Sequence, residues 1–269
     1  MPATVLALHG ITSNGRAWDA VARELSGDVR LLTPDLRGRG DAGEASGPYG
    51  LARHVEDAVG VLDAAGLDRA VVAGHSMGAY VTALLAATHP DRVRSVVLVD
   101  GGPPLPVPEG ADPDALLEAT LGPSIERLSR EFETPEAYHE FWRAHPAFAG
   151  YDVADGDLTA YADHDLRGEP PHLRSSVAEE AVRTDGRELI ADHDVRTALD
   201  AVRAPGVLLR AQRGLLDQPE AFIPTDMASA FDHPTVELRD VPDSNHFTIL
   251  MGAAGARAVA DAIRAAASA

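Results

Sequence analysis

The chain has 269 residues, of which 45% are hydrophobic and 24% charged, a composition typical of a soluble globular protein with enough chain for one large α/β domain or two smaller ones. Its formal charge of -19 disfavours nucleic acid as a partner, because binding to a phosphate backbone draws on clustered Lys and Arg. All 23 basic residues are Arg, and the chain has neither Lys nor Cys, which excludes Schiff-base catalysis, a Walker-type phosphate loop, thiolate nucleophiles, disulfides and cysteine metal sites. Only His and carboxylates remain as metal ligands, and neither a metal nor a cofactor is expected.

No run approaches the roughly 20 apolar residues of a membrane span, and the segment Met1-Pro2-Ala3-Thr4-Val5-Leu6 lacks the basic region of a signal peptide, so a cytoplasmic protein without a membrane partner is expected. Short apolar runs bounded by turn residues follow at Thr4–Leu8, Val29–Thr33, Ala70–Ala73, Val93–Val99, Val207–Arg210 and Val236–Val241. Amphipathic stretches fall between the early runs, at about 16–26, 51–65 and 77–88, and an Ala-rich helix covers about 248–267. This alternation predicts an α/β fold, a mostly parallel sheet of about six strands flanked by helices.

The alternation lapses after Gly101, where the Pro-rich stretch Gly101–Pro108 leads into several short helical patterns. Residues 103–194 therefore read as an inserted helical cap, with 1–102 and 195–269 as the core domain. More than half of the chain's Phe, Trp and Tyr residues lie in this insertion. A cap that shelters an apolar substrate needs such side chains, and Trp142, Tyr138 and Phe148 are the candidate pocket walls; the alternative is that they build the cap's own small core.

The segment Ala70-Val71-Val72-Ala73-Gly74-His75-Ser76-Met77-Gly78-Ala79 combines an apolar strand, a sharp turn and the start of a helix, with Ser76 at the apex. A reversal this tight strains the apical backbone and leaves no room for side chains on either flank, hence glycine at both. The Ser76 hydroxyl then projects freely as a nucleophile, and the Met77 amide at the helix N-terminus can donate to an oxyanion.

With this motif in place the chain resembles the α/β-hydrolase fold family, in particular its small esterases, lactonases, thioesterases and C-C hydrolases. Leu8-His9-Gly10-Ile11 resembles the family's oxyanion loop, which implies Ile11 as the second amide donor, and Pro34–Asp41 and Val97–Asp100 resemble its following turn and strand. The match covers about 3–101 and 196–267, and the chain starts at what would be the family's third strand, so two antiparallel edge strands are expected to be absent. The resemblance implies chain order Ser, acid, His. It places the base at His246, after the last strand, and the acid at Asp217, 29 residues earlier, with Asp100 as an alternative used by lipase-like members. His9 and His75 are read as residues that shape the site.

The resulting expectation is a serine hydrolase that cleaves a carboxylic ester or lactone of a small, apolar molecule through Ser76, His246 and Asp217. Thioester or C-C hydrolysis is the alternative chemistry, and a non-catalytic ligand-binding protein on the same scaffold is the alternative class. A homodimer is compatible with an exposed cap surface or edge strand.

Overall fold

Val5 and Ala7 of the first strand are buried on one side of the sheet and Leu6 and Leu8 on the other, and the same division by alternate residues recurs at Val71/Ala73 against Ala70/Val72 and at Val97/Val99 against Val96/Leu98. Strands that are apolar on both faces belong to the interior of a parallel sheet covered by helices on both sides. The computed structural model describes residues 2–108 and 110–269, so that Met1 and Glu109, the latter within the predicted cap, lie outside the described residues. It contains six parallel strands: β1 (Ala3–Leu8), β2 (Val29–Leu32), β3 (Ala70–His75), β4 (Val93–Val99) and, after a two-residue antiparallel pair β5 (Leu166–Arg167) and β6 (Arg174–Ser175), β7 (Gly206–Arg213) and β8 (Val236–Asn245). Their spatial order is β2-β1-β3-β4-β7-β8.

The helices α1 (Asp19–Glu24), α2 (Leu51–Ala64) and α3 (Met77–Thr88) precede the stretch 103–194, which contains α4 (Pro113–Ser129), α5 (Pro135–Arg143), α6 (Asp155–Asp165) and α7 (Glu179–Ala191), and α8 (His193–Ala201) leads from it back to the sheet. The chain closes with α9 (Thr225–Ala230), α10 (Thr248–Met251) and α11 (Ala253–Ser268). Helices α2, α3 and α8 pack on one face of the sheet, and α1 and α11 on the other. Two sequence expectations need adjustment. The stretch 16–26 divides into a 3-10 turn at Gly15–Trp18, capped by the Asn14 side chain on the Arg16 amide, and the short α1; the C-terminal helix breaks at Gly252 into α10 and α11. Among the described residues no helix is long and apolar enough to cross a membrane.

The insertion divides between the two faces. Leu117, Ile125 and Leu128 of α4 join Val182, Leu189 and Ile190 of α7 in the core on the α3 side, while Tyr138, Trp142, Leu158 and Tyr161 of α5 and α6 join the core on the α11 side. The strand order reverses beside β1, whose neighbours are β2 and β3, and ligands of open α/β sheets bind at such reversals, beyond the carboxyl ends of the strands. Pairing of Leu8 with Gly74 and of His75 with Val99 brings the ends of β1, β3 and β4 level at that edge.

Candidate active site

Ser76 stands between β3 and α3 at φ 53° and ψ -123°, a conformation that costs a non-glycine residue about 1–3 kcal/mol and persists only where its surroundings enforce it. Here its amide donates to the Val99 carbonyl at 2.9 Å and its carbonyl accepts from Ala79 at 2.9 Å. The flanking glycines are required by space. A Cβ at Gly74 would collide with the Gly78 carbonyl, and one at Gly78 would collide with the carbonyls of Leu8 and His9. Gly78→Ala is therefore expected to destabilise the fold by about 1–3 kcal/mol, read as a lower urea midpoint, and to displace Ser76 from β1.

His246 follows β8, is buried, and lines the same cavity as Ser76. Its Nδ1 lies 2.7 Å from Asp100 Oδ2, and Asp100 Oδ1 accepts from the Ala211 amide at 3.1 Å. An ionised carboxylate only accepts, so Nδ1 carries the imidazole proton and Nε2 is left with a free lone pair. Asp100 is fully buried and turns at φ 45°, immediately after β4, with its own amide bonded to the Leu209 carbonyl at 2.7 Å.

The structure thus brings Ser76 and His246 to one cavity but does not bring Asp217 to His246, and it puts the alternative acid, Asp100, there instead. Asp217 Oδ1 accepts from the Tyr151 hydroxyl at 2.6 Å, Arg213 Nε at 2.8 Å and Asn245 Nδ2 at 3.1 Å. Burial pushes its carboxyl upward, but these donors outweigh burial and hold it below the usual Asp value. Asp217 anchors the loop after β7 to the residue preceding His246, one position short of the base.

The two other histidines of the site are neutral frame elements. His75 Nε2 donates to the His246 backbone carbonyl at 2.8 Å, and burial, reinforced by the adjacent His246, lowers its pKa well below the ordinary value. His9 accepts from the Leu36 amide at Nε2 (2.9 Å) and donates from Nδ1 to the Gly10 carbonyl at 2.8 Å; burial lowers its pKa to about 4. Ile11 lines the cavity, and Met77 is the residue that follows Ser76. Met77, the first residue of α3, has an amide with no acceptor inside its helix, and the Ile11 amide has no acceptor among the described residues.

Ser76, His75 and His246 open into a cavity of about 400 Å³. Its walls are largely aliphatic: Leu116, Leu117 and Leu121 of α4 face Leu189 and Ile190 of α7, and Phe222 and Phe247 close the end near His246. Trp142, Tyr138 and Phe148 are not among the lining residues, which corrects the expectation that they form pocket walls. They are buried in mutual contact, with Tyr138 and Trp142 edge-to-face at 6.2 Å and Trp142 and Tyr161 at 5.0 Å. Tyr138, Phe141 and Trp142 recur at helical spacing on α5, so one face of that helix turns them together into the core on the α11 side of the sheet. The aliphatic wall of α4 and α7 carries no sequence signal, because Leu and Ile on a helix face look the same in sequence whether they border a core or a chamber. Phe247 carries a positional signal as the neighbour of His246, as Ile11 and His75 do by their places beside Gly10 and Ser76.

A family model for the α/β hydrolase fold matches residues 3–154, more than half of the chain. The chain belongs to the α/β-hydrolase family. Among curated proteins it is similar to the lipase LipV of Mycobacterium tuberculosis (39% identity over 99 residues, 37% of each chain) and to the 2-hydroxymuconate semialdehyde hydrolase of Pseudomonas putida (40% over 105 residues, 38% of this chain and 35% of that protein). The matched stretch thus spans little more than a third of the length of these relatives. The crystal structure of E-2-(acetamidomethylene)succinate hydrolase superposes with a TM-score of 0.79 over 98% of this chain and 92% of that one, at 22% identity, a likeness of fold.

Proposed function

We propose that the protein is a serine hydrolase that cleaves a carboxylic ester or lactone carrying an apolar acyl group, with Ser76 as nucleophile, His246 as base and Asp100 as the acid of the triad. The observation that carries this reading is the 2.7 Å bond from His246 Nδ1 to the buried Asp100 carboxylate, beside a serine on a strained strand-to-helix turn. Ser76 Oγ attacks the acyl carbon as its proton passes to His246 Nε2, a hydrogen bond that forms in the substrate complex. The oxyanion is received by the amides of Ile11 and Met77. His246 then protonates the leaving oxygen, and water activated by the same imidazole releases the acid.

The cavity supports an uncharged substrate. Glu220 is the one charged side chain among its described lining residues, and desolvating an anion in an apolar chamber without a partner is costly. This weighs against dicarboxylic substrates such as the succinate derivative for which one structural relative is named.

The test uses the intact protein with 4-nitrophenyl butyrate, the 4-nitrophenyl half-ester of succinate and a fluorophosphonate probe. Turnover of the butyrate at least about tenfold above the half-ester in kcat/KM is expected, with the label on the peptide that contains Ser76. Absence of both turnover and labelling would instead favour a ligand-binding protein on this scaffold.

A further inference from the structure

Two buried arginines that take no part in the proposed chemistry are aimed at the loop Gly10–Thr12. Arg39 Nε donates to the Ile11 carbonyl at 2.9 Å, and Arg127 Nη2 donates to the Thr12 carbonyl at 3.0 Å. Each is paired with a buried aspartate of the insertion: Arg39 Nη1 lies 2.6 Å from Asp185 of α7, and Arg127 Nη1 lies 2.6 Å from Asp165 of α6. The preceding carbonyl, Gly10, accepts from His9 Nδ1 at 2.8 Å and from the Ser13 amide at 3.2 Å. Three consecutive carbonyls are thus held by four donors: His9 Nδ1 and the Ser13 amide at Gly10, Arg39 Nε at Ile11 and Arg127 Nη2 at Thr12. Because a trans peptide is planar, with N–H opposite to C=O, the donors on the Gly10 carbonyl fix the direction of the Ile11 N–H, which has no acceptor of its own among the described residues.

We propose that the Arg39–Asp185 and Arg127–Asp165 pairs are positioning devices that fix the two peptides following the Ile11 amide, so that the loop presenting this amide keeps its oxyanion-binding course, and that they tie this course to the seating of the inserted helices. The inference rests on the serine-hydrolase reading above. Burying two Arg–Asp pairs is a poor route to stability alone, since apolar side chains of similar volume do as well or better. What the guanidinium supplies here is geometry: a rigid fork that meets a carboxylate with one arm and a backbone carbonyl with another. Arg127 extends this further, since its Nη1 also lies 2.6 Å from the Tyr138 hydroxyl and 3.0 Å from Ser175 Oγ, so that one guanidinium carried by α4 joins α5, α6 and β6 to the loop. Burial pushes the Asp165 and Asp185 carboxyls upward, but Arg127 and the Tyr138 hydroxyl at the first, and His54 and Arg39 at the second, outweigh it and keep both acids below the ordinary range.

Arg39→Lys and Arg127→Lys keep the positive charge opposite each aspartate but cannot serve carboxylate and carbonyl with fixed geometry, so they separate positioning from folding. Each is expected to lower kcat for 4-nitrophenyl butyrate by about 10–100-fold with KM changed less than about threefold, part of the 10²–10³-fold cost of losing an oxyanion donor outright. Affinity for an alkyl trifluoromethyl ketone, whose serine adduct places an oxyanion in the same site, should fall in parallel, while affinity for the matched methyl ketone changes less than about threefold. If a lysine variant does not fold, the uncharged pairs Arg39→Met/Asp185→Asn and Arg127→Met/Asp165→Asn remove both charges together and are read in the same way. An active wild type whose folded variants keep its kcat and its ratio of ketone affinities overturns the positioning role alone. A wild type that neither hydrolyses esters nor binds the trifluoromethyl ketone overturns the serine-hydrolase reading and this inference with it.

Discussion

Asp100→Asn is expected to lower kcat for a 4-nitrophenyl ester by about 10³–10⁴-fold, whereas Asp217→Asn lowers it by less than about tenfold. The asymmetry follows from the hydrogen bonds. At position 100 the Ala211 amide donates to Oδ1, so an asparagine there keeps its carbonyl oxygen on Ala211 and presents its NH₂ to His246 Nδ1. A donor at Nδ1 selects the other tautomer, with the proton on Nε2, and an imidazole so protonated cannot accept from Ser76. At position 217 all three side-chain donors converge on one oxygen, Oδ1, which an asparagine retains. The change there loses only the charge facing Arg213 in a partly exposed pair, worth less than about 1 kcal/mol. Steady-state kinetics on the two variants decides the matter, and a collapse of kcat in Asp217→Asn with Asp100→Asn active would reverse the assignment.

The two aspartates were hard to tell apart in sequence for a geometric reason. β4 and β7 are neighbours in the sheet, so the residues beyond their carboxyl ends, Asp100 and the loop holding Asp217, both flank the turn that carries His246. Both also occupy positive φ, 45° and 62°. Chain order admits either, and the choice is made by side-chain direction, which depends on contacts such as Arg213 and Tyr151 around Asp217 that spacing does not encode. By contrast, Ser76 was legible because its constraint is local: the turn needs glycines at 74 and 78 whatever the rest of the fold does. The sheet was legible for a similar reason, since Val71–Ala73 and Val96–Val99 are apolar on both faces and only a covered parallel sheet accepts such runs. The aromatic residues of the insertion misled because their number suggested a substrate chamber, while the helical spacing of Tyr138, Phe141 and Trp142 already described a face turned inward. Arg39 and Arg127 gave no sequence signal, since a buried arginine and a solvated one differ only in what the distant chain brings to them, here Asp185 and Asp165.

Stability is expected to fall steeply as the pH is lowered from 6.5 toward 4, before most carboxylates protonate. His9 and His145 are held neutral with pKa values near 4, and His75 lies well below its ordinary value, in each case because burial disfavours the imidazolium. In the unfolded chain these histidines titrate near 6.5. Between those values the unfolded state binds protons that the native state does not, so the free energy of unfolding declines as pH falls, at up to about 1.4 kcal/mol per pH unit for each group. The three together can reach about 4 kcal/mol per unit, a large share of a stability of roughly 5–15 kcal/mol. The depressed carboxyls Asp165 and Asp185 act at lower pH, since their contribution is intact above the unfolded Asp value and is lost only as pH drops through the folded one. Urea unfolding at pH 7.0, 6.0 and 5.0 reads the slope. His75→Gln supplies the control, because its amide NH₂ can still donate to the His246 carbonyl while carrying no titrating proton. The variant should lose about one third of the slope, and a wild type whose stability is flat over this window would mean that these imidazoles are not held neutral by the fold.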